Sequence, residues 1–189
     1  GFHYVSTSSS ATNVGDEPLQ LKINNPNCIV AVNNNRNKGV KQILKDYPNI
    51  NVILLDDGYQ HRWIKAGLNI IVSPFYKPYY KDEILPLGTL REHKDGANRS
   101  DIIIISKTPQ NTSPTEEKGM LENMHLKAHQ KAYFSSIQYN NFKSMNTDED
   151  FIPNDNYSII LVSGIVNVSP LVKQLERNGH HINQIKFTD

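Results

Sequence analysis

Residues 51–62 read N-V-I-L-L-D-D-G-Y-Q-H-R, and this stretch decides the fold. Val52 to Leu55 form a short apolar run that ends in the paired carboxylates Asp56 and Asp57. A run of this length bounded by turn chemistry predicts a strand buried on both faces of a parallel sheet. Ligands of open α/β sheets sit beyond the carboxyl ends of the strands, so the two acids would stand at the mouth of a site. Adjacent acids leave a strand end in different directions. One can therefore hold a hard cation while the other orients a water or hydroxyl. Gly58 lets the backbone turn sharply, and Gln60, His61 and Arg62 bring an amide, an imidazole and a fixed positive charge to the same rim. Asp-Asp-Gly is also ordinary turn chemistry, but a turn has no need of Gln, His and Arg behind it.

Two further blocks accompany this signature. Val14-Gly15-Asp16-Glu17-Pro18 lies upstream, and Leu85-Pro86-Leu87-Gly88-Thr89-Leu90-Arg91-Glu92 lies downstream. The three blocks, in this order, resemble the tetraacyldisaccharide 4'-kinases, P-loop enzymes that phosphorylate the lipid A precursor. That family's signature is a buried strand ending Asp-Asp-Gly, a variable residue and Gln-His, with Tyr59 here in the variable slot. Its downstream block usually reads Leu-Pro-Ala-Gly-Pro-Leu-Arg-Glu, so Leu87 and Thr89 depart from it.

The resemblance implies ATP and Mg²⁺ as cofactors and transfer of the γ-phosphoryl to the 4'-hydroxyl of a tetraacyl glucosamine disaccharide 1-phosphate. It implies peripheral association with the cytoplasmic face of the bacterial inner membrane. It also implies roles. Asp56 and Asp57 would hold Mg²⁺ and help orient the nucleophile, and Asp16 would be the general base. Gln60 and His61 would shape the site, and Arg91 would stabilise transferring charge with Glu92 beside it. Apart from these family roles, Glu17 and Arg36 are nucleotide-binding candidates, Arg36 because its guanidinium could reach a phosphate. Each has a plainer reading too: helix-cap chemistry for Asp16 and Glu17, a solvated charge for Arg36, and a surface ion pair for Arg91 and Glu92.

The chain has 189 residues and 38% hydrophobic content, enough for one globular core or one and a half domains. With 20 basic and 19 acidic residues and a net charge of +1, no overall field favours nucleic acid, which is not expected as a partner. Cys28 stands alone, which excludes an internal disulfide and fits a reducing compartment. No apolar run approaches the ~18 residues of a membrane span. Gly1 is not an initiator methionine and Asp189 follows a strand-like I-K-F, so both ends read as cut from something longer.

Along the chain, residues 1–13 read as an extended or mobile loop. A short helix opens at Asp16, a strand is expected over 28–32, and an amphipathic helix over about 36–47. With a strand into Leu55 these make a βαβ unit. Further buried strands are expected at 68–72 and at 101–106, the latter carrying four consecutive isoleucines. Between them, the aromatic loop 75–82 is a scaffold loop or a grip for a sugar or lipid headgroup. A helix capped by Ser113 should reach about His129, placing His125 and His129 one turn apart, a metal-pair spacing without an evident third ligand. Residues 132–139 alternate as a half-exposed strand and lead into a polar, hairpin-like connection. A strand at 157–162, a helix over about 169–178 and a stop at Gly179 follow, with His180 and His181 as helix-end cations rather than metal ligands.

The fold expected is therefore α/β: a largely parallel twisted sheet flanked by helices, P-loop-kinase-like, with the start of a smaller C-terminal α/β domain. The expected divisions are a core over 1–130, a linker over 131–156, and the further domain over 157–189. No glycine here begins G-x-x-x-x-G-K-[ST], the phosphate-cradling loop. In the resembled family that loop precedes the Val-Gly-Asp-Glu-Pro block, so it is expected upstream of Gly1. The family's catalytic histidine follows a Phe-Pro-Asp sequence, which Phe187-Thr188-Asp189 only approaches, and that histidine is assigned to no residue present. The chain as it stands is expected to be inactive. Two other functions fit the same residues: a metal-dependent phosphate-ester hydrolase using Asp56, Asp57 and His61, or an α/β binding module without chemistry.

Overall fold

Ile103 and Ile105 have no solvent exposure, and the first part of the molecule is arranged around them. The structure is a computed structural model that describes residues 1–147, 149–151, 156–165 and 167–185. It divides into two compact units, Gly1–Ile137 and Gln138–Asp189.

The first unit begins with β1 (His3–Val5), the single-turn α1 (Ala11–Val14), α2 (Asp16–Asn24), β2 (Val30–Val32) and α3 (Arg36–Asp46). It continues with β3 (Ile70–Pro74), β4 (Ile102–Ser106), α4 (Pro114–Met124) and β5 (Lys131–Phe134). Strands β3, β4 and β5 form one parallel sheet in that order, with Ile70 opposite Ile102 and Ile102 opposite Lys131. β4 is thus central, and it buries Ile103 and Ile105 completely on one face, while Ile102 and Ile104 on the other, expected to be buried as well, are only partly covered. The α4 residues Met120 and Met124 close the core over Ile103 and Ile105, with Phe75, Tyr79, Tyr80 and Phe134 packed around them. The Ser113 hydroxyl accepts from the Glu116 amide and Pro114 opens the helix, as the capping pattern requires.

The second unit holds an antiparallel hairpin of β6 (Phe142–Lys143) and β7 (Asp150–Phe151). It also holds a parallel pair, β8 (Ser158–Val162) and β9 (His181–Ile185), joined through α5 (Ser169–Arg177). Val172 and Leu175 are the buried face of α5, and Gly179 takes a positive φ of 88° just past its end. His180 is buried, and its Nδ1 accepts from the Tyr157 amide at 3.3 Å. Phe187, Thr188 and Asp189, which bear on the family's catalytic histidine, lie outside the described residues.

The α/β class with a parallel sheet flanked by helices is as expected, but several elements are not. Residues 51–55 form no strand. A strand exists through hydrogen bonds to a neighbour, and among the described residues none pairs with this segment. Its Val52 and Leu54 are 71% and 89% exposed. The expected βαβ unit is therefore β2, α3 and an irregular segment. β3 begins two residues later than expected and, among the described residues, is an edge strand with Ile70 and Val72 exposed, not a buried one. Residues 3–5, expected in a loop, pair antiparallel with β2, and of the three only Val5 is buried. The α4 helix stops at Met124, where His125 turns left-handed at φ 49°. His125 and His129 therefore do not share a helical turn. β5, placed by the sequence in the connecting stretch, is the third strand of the main sheet.

Candidate active site

Helix α2 starts where Gly15, at φ 90°, ends α1 and serves as its N-cap. Asp16 and Glu17 occupy its first turn, where the positive end of the helix dipole favours acids. Residues 17, 20, 21 and 24 fall on one helical face by their spacing. Glu17, Gln20, Leu21 and Asn24 indeed line one wall of a cleft of about 390 Å³, and Asp56, Asp57 and Arg91 line the other. Asp16, about a hundred degrees round the helix from Glu17, is not among the lining residues.

The signature loop builds the opposite wall. Asp57 itself takes the left-handed conformation, at φ 46°, a state that Asp tolerates better than most residues. Gly58, expected to let the backbone turn sharply, is not itself at positive φ. A Cβ there would press on Leu55 Cβ at 2.8 Å, so the requirement is for space. The Asp57 carboxylate meets the Arg91 guanidinium at 2.5 Å. The charge of Asp57 raises the Arg91 pKa through that bond. Asp56 has no ion-pair partner among the described residues.

Arg91 arrives on a tightly bound loop. Asp82 has a 4% exposed side chain and accepts from the Glu83 amide at 2.8 Å and the Thr89 amide at 3.2 Å. It also accepts from the Thr89 hydroxyl and pairs with Lys77 at 2.9 Å. The Thr89 hydroxyl, the Lys77 ammonium and the amides hold its carboxyl well below the usual carboxylate range. Gly88 closes the turn, where a Cβ would overlap the Glu83 carbonyl and the Asp82 carboxylate. The Leu85–Pro86 bond in this loop is cis.

Glu92 faces a different set of partners from its neighbour. It pairs with Arg62 of the signature loop and with Arg99, each at 2.8 Å. Arg99 in turn lies 4.7 Å from the centre of the Tyr59 ring, and the Tyr59 hydroxyl donates to the Gly96 carbonyl at 2.7 Å. Burial pushes the Glu92 carboxyl up, but the two guanidiniums together outweigh it and hold it below its ordinary value. Burial likewise raises the Tyr59 phenol, against the opposing charge of Arg99.

A second, larger cleft of about 1280 Å³ runs beside β3 and is lined by Gln60, His61, Arg62 and Glu92 as well as by Asp56, Asp57 and Arg91. Arg36 lines neither cleft, and its guanidinium donates to the Asn33 carbonyl at 2.6 Å. The structure thus brings Glu17, Asp56, Asp57, Gln60, His61, Arg91 and Glu92 to these two neighbouring clefts. Sequence reasoning did not single out Gln20, Asn24 or Asp82. For Gln20 and Asn24 the signal was available, because they lie three and seven residues beyond Glu17 on a helix already expected. Asp82 gave none, since an acid before a Pro-Gly loop is common turn chemistry.

The family model for tetraacyldisaccharide-1-P 4'-kinase matches residues 1–189. The chain belongs to the tetraacyldisaccharide-1-P 4'-kinase family. It is 35% identical over 201 residues to the tetraacyldisaccharide 4'-kinase of Bacteroides thetaiotaomicron, covering 100% of this chain and 53% of that one. It is 35% identical over 187 residues to the enzyme of the same description from Cytophaga hutchinsonii, covering 98% and 52%. The corresponding protein of Bacteroides fragilis is 32% identical over 197 residues, covering 100% and 52%. The chain therefore spans about half the length of the curated relatives it matches. No solved structure matches it. Within this family member, no helix among the described residues is long and apolar enough to cross a membrane.

Proposed function

We propose that this chain supplies the acidic and cationic wall of a lipid-sugar kinase. The full-length protein would transfer the γ-phosphoryl of ATP to the 4'-hydroxyl of a tetraacyl glucosamine disaccharide 1-phosphate. The carrying observation is the cleft in which Glu17 of α2 faces Asp56, Asp57 and Arg91. The relatives' description as tetraacyldisaccharide 4'-kinases supports the substrate class.

The donor set suits Mg²⁺. Among the described residues no group of three or more His, Cys, Asp and Glu gathers as an all-protein cage. Two adjacent carboxylates stand in an open cleft instead, and Mg²⁺ is commonly held by one or two carboxylates with water and phosphate oxygens completing its shell. Asp56 and Asp57 would hold it, and the ion supplies charge neutralisation for the phosphates when bound. Arg91 balances Asp57 at rest, and its planar fork can pair with a phosphoryl oxygen during transfer. Asp16, at the head of the helix that lines the cleft, is assigned to take the hydroxyl proton. Glu17, with Arg36 as the more distant candidate, would orient the nucleotide, and Gln60 and His61 bound the acceptor side. The division of the protein at the edges of 131–156 and peripheral attachment at the cytoplasmic face of the inner membrane belong to the same proposal.

The test is ATP-dependent phosphorylation of the disaccharide by the full-length protein. Asp56→Ala and Asp57→Ala should each lower turnover by about a hundredfold or more while leaving the melting temperature close to that of the parent. Near-normal turnover in both variants would remove the carboxylates from the mechanism. Phosphate release without ATP would instead favour a hydrolase.

A further inference from the structure

We propose that Asp82 is a positioning residue for Arg91, a buried carboxylate that sets where the guanidinium stands opposite Asp57. The inference rests on the kinase reading given above and adds to it a residue outside the three motif blocks.

The loop is anchored before Asp82 is reached. The Phe75 amide donates to the Ser106 carbonyl at 2.8 Å, and the Tyr79 amide donates to the buried Ser73 hydroxyl at 2.8 Å. Both contacts fix residues 75–79 to the carboxyl ends of β4 and β3. Asp82 then reaches seven residues forward to take both the amide and the hydroxyl of Thr89. Its remaining lone pairs go to the Glu83 amide and to Lys77. Beyond it the Leu90 amide donates to the Glu83 carbonyl at 3.0 Å, and the Leu90 carbonyl accepts from the Leu85 amide at 3.0 Å. Leu90 is thus held on both sides, and Arg91 is the next residue. Its side chain leaves a clamped backbone and meets Asp57 at 2.5 Å.

The charge matters as well as the shape. An ionised carboxylate offers about four lone-pair sites, and here two amides, a hydroxyl and an ammonium use them. An amide in its place would keep the volume, offer an NH₂ where acceptors are needed, and leave Lys77 without its counter-charge. The Arg91 backbone would then be free to shift. Misplacement of a catalytic group by about 1 Å costs on the order of a hundredfold in rate.

The experiment is a double-mutant cycle in the full-length protein, with Asp82→Asn, Arg91→Ala and their combination assayed for kcat and KM under saturating ATP. If Asp82 acts through Arg91, Asp82→Asn lowers kcat by about tenfold to a hundredfold. It then has little further effect once Arg91 is already alanine. Unchanged kcat for Asp82→Asn, or multiplicative losses in the double variant, would overturn the inference and leave Asp82 a merely structural residue. Thr89→Val, which removes the hydroxyl and keeps the amide, gives the same two outcomes should Asp82→Asn not fold. Retention of full activity by Arg91→Ala alone would be a failure of the kinase assignment of Arg91, separable from a failure of the positioning role.

Discussion

Replacing Glu92 with Gln probes the tie between the signature loop and the segment after Arg91. The carboxylate is only 22% exposed and joins Arg62, 67% exposed, to Arg99, 37% exposed. The Arg62 pair is largely in solvent and contributes about 0–1 kcal/mol. A charge-assisted bond of the sheltered kind contributes about 1.5–3 kcal/mol, and the partial exposure of Arg99 discounts that to about 1–1.5 kcal/mol. Glutamine preserves volume and one acceptor, so the loss should total about 1–2 kcal/mol, or roughly 3–6 °C in melting temperature for a unit of this size. The loss should depend on pH with a definite sign. The folded-state pKa of Glu92 is held below its ordinary 4.5, so the unfolded chain takes up the proton first as pH falls. The stabilisation is complete above about pH 5 and disappears as pH drops through the folded value. Thermal denaturation of parent and variant at pH 7 and again near pH 3 reads both effects. Equal melting temperatures at pH 7, or an undiminished difference near pH 3, would refute the ion-pair account of Glu92.

Two further substitutions test the scaffold. Ile105→Ala empties a fully buried position beside Met120 and Met124 and should cost about 2–5 kcal/mol, seen as a lower urea midpoint with an unchanged slope. A loss below 1 kcal/mol would displace Ile105 from the centre of the core. Gly88→Ala forces a methyl group onto the Glu83 carbonyl and the Asp82 carboxylate and should cost about 1–3 kcal/mol. Parental thermal stability in that variant would mean the loop has room that the geometry denies it.

The parts of the fold that could be read from the sequence were those in which pattern and environment agree. Four isoleucines in a row could only be a central strand, and Ser113-Pro114 followed by acids could only open a helix. Residues 51–55 show the converse. Their composition was that of a strand, but strandness belongs to a pair of chains, and no described strand lies hydrogen-bonded to them. Residues 3–5 erred the other way, since three residues beside a Ser-rich stretch carry too little pattern to outweigh their surroundings. In the site, charged residues at motif positions were identified by type, but their partners were not. Arg91 takes Asp57 while Glu92, its neighbour, takes Arg62 and Arg99, a divergence at a bend that sequence adjacency does not reveal. The knot at Asp82 depends on a seven-residue return that no local pattern announces.

The outer edge of β3 carries one more implication. The strand reads Ile-Ile-Val-Ser-Pro, has no charged residue, exposes Ile70 and Val72, and pairs on one side only among the described residues. An uncharged β-branched ribbon with unspent amides and carbonyls is an adhesive template for any extended chain that meets it. The same apolar richness that makes the strand fit a sheet interior therefore makes it hazardous wherever that interior is left open.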